Sequence, residues 1–136
     1  MTLDDGYGVY TAIRGTANWP ETIGLGGSLD FVRAIGREVV AQRLMDLRNL
    51  LYNALSACAG IRIFSPPPGS SLACQLVCFS VIDRAKHPLL TARFAADKVV
   101  VKTVGVEGID FRVGCHLYNT EQDVQRFAGS LHAVLG

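Results

Sequence analysis

The residues best suited to chemistry lie in one short stretch near the end of the chain, residues 111–121. The stretch contains Arg112, a turn-forming sequence and then Asn119 and Thr120. The planar guanidinium of arginine can hold a carboxylate through two parallel hydrogen bonds. Asn119 or Thr120 is expected to cap a helix whose first turn carries acidic residues that the helix dipole favours. The pattern predicts a carboxylate-binding arginine on a strand, followed by a turn and a helix.

Other reactive residue types near Arg112 carry weaker predictions. Cys115 and His116 are adjacent, so on a strand their side chains would point to opposite faces and would not form a nucleophile pair. Asp110 is expected to face solvent, and Lys102 is expected to be a strand-end lysine that points to water. Arg112 is therefore the predicted carboxylate-binding residue, and the alternative is an ordinary surface arginine at a strand end.

Length and composition fix the class of protein. At 136 residues the chain can form one domain with a real core, and its apolar fraction of 49% suggests a surface that is normally buried against another domain or subunit. A net charge of +1 offers no basic patch for nucleic acid. No apolar run is long enough for a membrane span or a signal peptide, so a cytoplasmic protein is expected.

The cysteines indicate neither disulfides nor a metal site. The chain has four of them, and no Cys-x-x-Cys pair or histidine cluster accompanies them. Cys74 and Cys78 are expected on one side of a strand. We therefore predict reduced and mostly buried thiols, and no metal ligands.

The elements that must position Arg112 follow from hydrophobic periodicity. A long helix is expected over residues 21–57, kinked or split at Gly36, after an extended arm over residues 1–20. Shorter elements are predicted as strands over 61–64, 76–82, 98–104 and 109–113, and as helices over 88–97 and 120–135. The fold class is α+β, with a small three- or four-stranded, mostly antiparallel sheet that carries helices on one face.

Two motifs in this order resemble class V aminotransferases, a pyridoxal phosphate (PLP) family that includes cysteine desulfurases and isopenicillin N epimerase-like proteins. Arg112 begins the sequence RVGCHLYNT, which is similar to the family's arginine element. Gly15 and Thr16 begin GTANWP, which is similar to its glycine-threonine element. The resemblance implies that residues 21–136 form the C-terminal small domain of such an enzyme. It also implies that Arg112 holds the substrate carboxylate and that Gly15 and Thr16 contact the PLP phosphate of a partner subunit.

The resemblance also implies what the chain lacks. The family's Schiff-base lysine precedes the glycine-threonine element, whereas the first lysine here is Lys86. No catalytic residue is therefore assigned, and the chain alone is expected to be inactive and not to bind PLP covalently. The expected partners are an amino-acid substrate and either a second copy of the chain or a missing large domain.

Two questions remain open at the level of sequence. The family's desulfurases carry a persulfide cysteine before the final strand, and residues 102–109 contain none, which favours the aminotransferase or epimerase-like branch. The alternative function is a stand-alone α+β module for dimerisation or for binding a small carboxylate.

Overall fold

The computed structural model describes residues 19–136, and the chain divides into two compact units between Arg37 and Glu38. The first unit contributes helix α1 (Trp19–Ile35). None of the residues of α1 is buried, although it carries large apolar side chains such as Trp19 and Phe31.

The predicted long helix is split at Gly36, as the sequence indicated. Gly36 adopts a φ of 98°, a left-handed conformation that glycine reaches without steric cost, and its N–H donates to the Val32 carbonyl at 3.0 Å. Helix α2 (Arg37–Ser56) begins directly afterwards. Its apolar side chains return every four residues, so Leu47, Leu51 and Leu55 form one buried stripe.

Four strands form one antiparallel sheet in the spatial order β1–β2–β4–β3. The elements after α2 follow in the chain order β1 (Ile61–Ile63), β2 (Leu76–Val81), α3 (Lys86–Ala96), β3 (Lys102–Val106), β4 (Ile109–Gly114) and α4 (Glu121–Leu135). The central pair aligns Phe79 of β2 with Phe111 of β4. This α+β arrangement confirms the predicted fold class.

The core lies on one face of the sheet, beneath the apolar sides of α2, α3 and α4. Phe79 and Phe111 are fully buried there, with ring centroids 5.2 Å apart. Phe94 of α3 and Phe127 of α4 stack on each other at 5.5 Å and contact the same two rings edge-on. The aromatic cluster ties two helices to the two central strands.

The predicted strand over 98–104 is wrong in its first half. Lys98 adopts a φ of 56° and, with Val99, donates backbone hydrogen bonds that close the end of α3. This left-handed turn directs residues 99–101 outside the sheet, and β3 begins only at Lys102. Val100 is consequently 96% exposed.

A second feature that the periodicity missed is a buried arginine. Arg48 of α2 is fully buried, stacks on Tyr52 at 4.9 Å and donates to the Pro66 carbonyl and to Asn49. Its Nε has no hydrogen-bond partner among the described residues. Arg48 therefore fastens the proline-rich loop that joins β1 to β2 onto α2.

Candidate functional site

Arg112 lies in β4 on the sheet face opposite to the one that α2, α3 and α4 cover. The preceding residue, Phe111, is buried in the core, and successive side chains of a strand point to opposite faces. Arg112 is exposed and makes no hydrogen bond or ion pair with any residue from 19 to 136. The guanidinium is therefore free to bind a ligand on the open face.

The nearest neighbours of Arg112 come from the strands on either side. Its register partners are Cys78 of β2 and Lys102 of β3, which therefore share its face. Directly opposed side chains on antiparallel strands have Cβ atoms about 5 Å apart, and like charges in such a pair destabilise the sheet. No carboxylate of the described chain neutralises Arg112 or Lys102. The open face thus presents two adjacent cations without an anion.

The prediction that Asp110 faces solvent is wrong. Its side chain is 9% exposed, and it accepts from the Val81 N–H at 2.9 Å and from Arg84 at 2.7 Å. His87 lies 3.9 Å away and stacks on Phe111. Burial raises the pKa of the Asp110 carboxyl, but the hydrogen bonds from Arg84 and Val81 outweigh it and hold the pKa below its usual value. This anion neutralises Arg84 and fastens β4 to the end of β2.

The turn after Arg112 is built as the sequence predicted. Thr120 is the N-cap of α4: its side chain accepts from the Asp123 N–H at 3.3 Å, and Asp123 accepts from the Thr120 N–H at 2.9 Å. Asn119 closes the turn by accepting from the His116 N–H at 2.8 Å. The backbone hydrogen bond from Thr120, followed by the one from the Asn119 side chain, lowers the pKa of Asp123. Asn119 and Thr120 thus have structural roles.

Arg43 of α2 is the residue that sequence reasoning missed. It pairs with Glu121 and donates to the Asn119 carbonyl at 3.0 Å, so it holds the turn and the start of α4. The hydrogen bond from Arg43 lowers the pKa of Glu121. Arg43 and Glu121 are 78 residues apart in the sequence. No local sequence pattern indicates a pair of this kind.

The cysteines are all free, and none is arranged as a nucleophile. Cys74 is exposed and precedes β2, so it does not share a strand with Cys78 as predicted. Cys58 is buried beside His132, with 3.8 Å between Sγ and Nδ1, but burial raises the pKa of its thiol. Burial also raises the pKa of Cys115, and the ring of its neighbour His116 stacks on Tyr118 at 4.5 Å. Over residues 19–136 no group of three histidine, cysteine or acidic side chains could hold a metal ion.

Membership of a family follows from comparison of the sequence with family models. The model of class-V aminotransferases matches residues 7–127. The chain belongs to this family. A probable cysteine desulfurase of Pseudomonas putida is 32% identical over 124 residues, which cover 86% of this chain and 30% of the relative. A probable cysteine desulfurase of Xylella fastidiosa is 26% identical over 140 residues, covering 88% of this chain and 30% of the relative.

Two solved structures of C-DES share the fold. A C-DES mutant with glycine covalently linked to its PLP cofactor superimposes with a TM-score of 0.74 at 19% identity, covering 91% of this chain and 31% of that one. The complex of the cystine C-S lyase C-DES with cysteine persulfide gives 0.74 at 18% identity, covering 91% and 32%. The class-V chain described here thus spans about 30% of the length of its curated relatives.

The class-V family uses PLP, but the described residues do not fit a covalent PLP site. An imine-forming lysine needs burial or a neighbouring charge that favours its neutral amine. The three lysines of the chain are Lys86, Lys98 and Lys102. Lys98 and Lys102 are exposed, and the ammonium of Lys86 donates to the Leu135 carbonyl. Gly15 and Thr16, the predicted phosphate contacts, lie outside the described residues. In the described helices, no segment is long and apolar enough to cross a membrane.

Proposed function

We propose that this chain supplies the substrate-carboxylate site of a PLP-dependent class-V enzyme that acts on an amino acid. Arg112 binds the α-carboxylate from the open face of the sheet. The PLP, when bound by the remainder of the enzyme, supplies the electron sink for bond cleavage at the amino acid. The chain contributes orientation of the substrate, and alone it has no turnover.

The observation that carries the proposal is the unneutralised pair of cations on the open face. Arg112 and Lys102 are direct register partners, and such a pair costs folding free energy unless an anion lies between or above them. Asp110, two residues before Arg112, is already engaged by Arg84 and Val81. A carboxylate ligand would supply the missing negative charge, and the fork of Arg112 suits its two oxygens.

The names of the relatives favour a sulfur-containing substrate. Both curated relatives are called probable cysteine desulfurase, and one structural neighbour is a cystine C-S lyase. The connection between β3 and β4 is a tight turn without cysteine, with Gly108 at a φ of 81°. We therefore favour cleavage or rearrangement of a sulfur amino acid without storage of sulfur on that turn; transamination and epimerisation are the other reaction types proposed.

The remaining parts of the proposal concern the cofactor contacts, the partners and the domain organisation. Gly15 and Thr16 are proposed to contact the PLP phosphate, because a hydroxyl and N–H groups beside glycine suit a phosphate. The active site is proposed to form in the cytoplasm, between two copies of the polypeptide or with a large domain. Residues 1–20 would act as the arm at that interface, and residues 21–136 as the small domain.

The decisive experiment measures catalysis with Arg112 changed. The genomic DNA upstream of the Met1 codon is sequenced to find the longest open reading frame that includes this chain. The polypeptide that this frame encodes is produced and assayed with cysteine and cystine as substrates. Arg112→Ala should lower kcat/KM by about 10- to 100-fold, the loss expected for a charge-assisted hydrogen bond. Arg62→Ala is the matched control, because Arg62 is an exposed strand arginine stacked on Phe64. Equal effects of the two substitutions would refute the carboxylate site.

A second candidate function rests on the compactness of residues 38–136, which carry their own core. Such a unit could act alone as a regulatory module that binds a small carboxylate without PLP. Two measurements on the 136-residue chain separate the candidates. Saturable micromolar binding of an amino acid without PLP would support the regulatory module. An imine absorbance band that appears after PLP is added and persists after dialysis would contradict our assignment of the Schiff-base lysine to another part of the enzyme.

A further inference from the structure

A cavity of about 240 Å³ lies on the helix-covered side of the sheet, away from the open face that carries Arg112. The end of β4 forms one wall, the first half of α4 forms another, and the segment after α3 forms the third. Its floor is apolar and includes Leu51, Val113, Val124 and Phe127. The cavity exists because residues 99–101 do not pair with the sheet, so that β4 lacks a neighbour there.

The rim of this cavity carries two cations that no carboxylate of the described chain contacts directly. Lys98 and Arg126 line it, and within residues 19–136 neither side chain forms a hydrogen bond or ion pair. The nearby acids have other hydrogen-bond partners: Asp97 accepts from Arg93 and Ser130 at 2.6 Å each, and Asp123 completes the cap of α4. The charge of Arg126 acts on both acids, but without a direct contact. The rim is therefore electropositive above an apolar floor.

The remaining wall contains Asp123, the one carboxylate among the lining residues, whose oxygen accepts from Thr120 and Asn119. Cys115 lies in it and is half-buried, and burial, followed by the charge of Asp123, raises the pKa of its thiol. Cys115 is therefore a neutral thiol near neutral pH. The lining thus carries two cations, one carboxylate that is already hydrogen-bonded and one uncharged thiol, so that positive charge is in excess for an entering anion.

The backbone at Lys98 provides an independent observation. Its φ of 56° makes it the sole non-glycine residue in the described chain with a left-handed backbone, at a helix end where glycine is the usual choice. Such strain persists where the surrounding structure enforces it, and it accumulates at ligand sites. A lysine at this position adds a cationic residue to the cavity lining at a cost that glycine would avoid.

We propose that this cavity binds a small aliphatic carboxylate, with its chain on the apolar floor and its carboxylate between Lys98 and Arg126. The site is separate from the substrate site at Arg112 and does not depend on PLP. Short and medium-chain fatty acids are the ligand class that combines one anionic head with an apolar body of this size.

The test measures binding of hexanoate to the 136-residue chain by calorimetry or NMR. Hexanoate should bind saturably, whereas acetate lacks the apolar chain and hexylamine has the wrong charge, so both should bind at least about tenfold more weakly. Lys98→Gly and Arg126→Gln should each weaken hexanoate binding by about tenfold. Arg62→Ala removes one charge on the other face and should leave binding unchanged.

Two further readouts prevent a folding defect from imitating the result. Lys98→Gly should raise the urea midpoint of unfolding, because glycine relieves the left-handed strain, while it weakens binding. Hexanoate should slow alkylation of Cys115 by iodoacetamide, and Cys74, which is exposed and outside the cavity, serves as the internal control. Absence of saturable hexanoate binding, equal binding of hexylamine, or full binding by Lys98→Gly would each overturn the proposal.

Discussion

The two faces of the sheet are made from alternate residues of the same strands, yet they differ in every property that matters for function. The covered face carries Phe79 and Phe111 in a closed aromatic cluster with α3 and α4. The open face carries Arg112, Lys102 and Cys78 in one register row. One residue of displacement along β4 separates the centre of the core from the candidate ligand site. Phe111 thus serves stability, and its neighbour Arg112 carries the ligand contact that we propose.

The contrast between the two faces predicts the largest difference in the free energy of unfolding for variants at two neighbouring positions of β4. Phe111→Ala should lower the free energy of unfolding by about 3–5 kcal/mol, because it leaves a cavity between rings that three helices cover. Arg112→Ala should change it by less than about 0.5 kcal/mol. Urea unfolding of both variants, followed by circular dichroism, checks the pair. Comparable losses would mean that Arg112 supports the fold, and the division between the faces would fail.

Asp110 sharpens the contrast, because it is the buried acid that fastens β4 to β2. Asp110→Ala should cost about 1–3 kcal/mol by leaving the Val81 N–H and Arg84 without their acceptor. Asp110→Asn, which can still accept from Val81, should recover part of the loss. Urea midpoints of the two variants test the order.

The pH dependence of stability follows from the same carboxyl. Its folded pKa lies below the unfolded value of about 3.9, so its contribution is present above that value and is lost as the pH falls through the folded pKa. Arg84, and His87 when it is protonated, oppose protonation of this carboxyl. Asp110→Asn should therefore flatten the decline in the urea midpoint below about pH 4. An unchanged decline would show that other acids cause it.

A smaller effect is expected at the turn that links Arg112 to α4. Thr120→Ala should lower the free energy of unfolding by about 1 kcal/mol, because the Asp123 N–H loses its side-chain acceptor. Thr120→Ser retains a hydroxyl and should remain close to the parent chain. Thermal unfolding distinguishes them; a serine variant as unstable as the alanine variant would point to the methyl group rather than the cap.

The smallest effect on stability is expected in residues 99–101, where the sequence wrongly predicted a strand. Val100→Ser should change stability by less than about 0.5 kcal/mol, because the side chain is 96% exposed. Val99→Ser should cost more, since Val99 packs against the core. A large loss of stability for Val100→Ser alone would instead support the strand that the sequence predicted for residues 98–104.

Local patterns predicted what local physics decides. Leucines at helical spacing indicated α2, Gly36 indicated the break, and Thr120 indicated the start of α4. The pairs Arg43–Glu121 and Arg84–Asp110 were not predictable, because they join residues that are 78 and 26 positions apart. The start of β3 was missed because a lysine, rather than glycine, occupies the left-handed position that ends α3. The motif therefore located Arg112, while its surroundings depended on tertiary contacts.

The buried Arg48 has a consequence for the motions of the native state. A guanidinium stays charged at any pH that the protein survives, so separation of the proline-rich loop from α2 cannot be eased by loss of a proton. When the Pro66 carbonyl withdraws, a permanent charge inside the protein loses an acceptor. The central turns of α2 and the loop that follows β1 should therefore open together, and their amide hydrogens should exchange with solvent at matching rates.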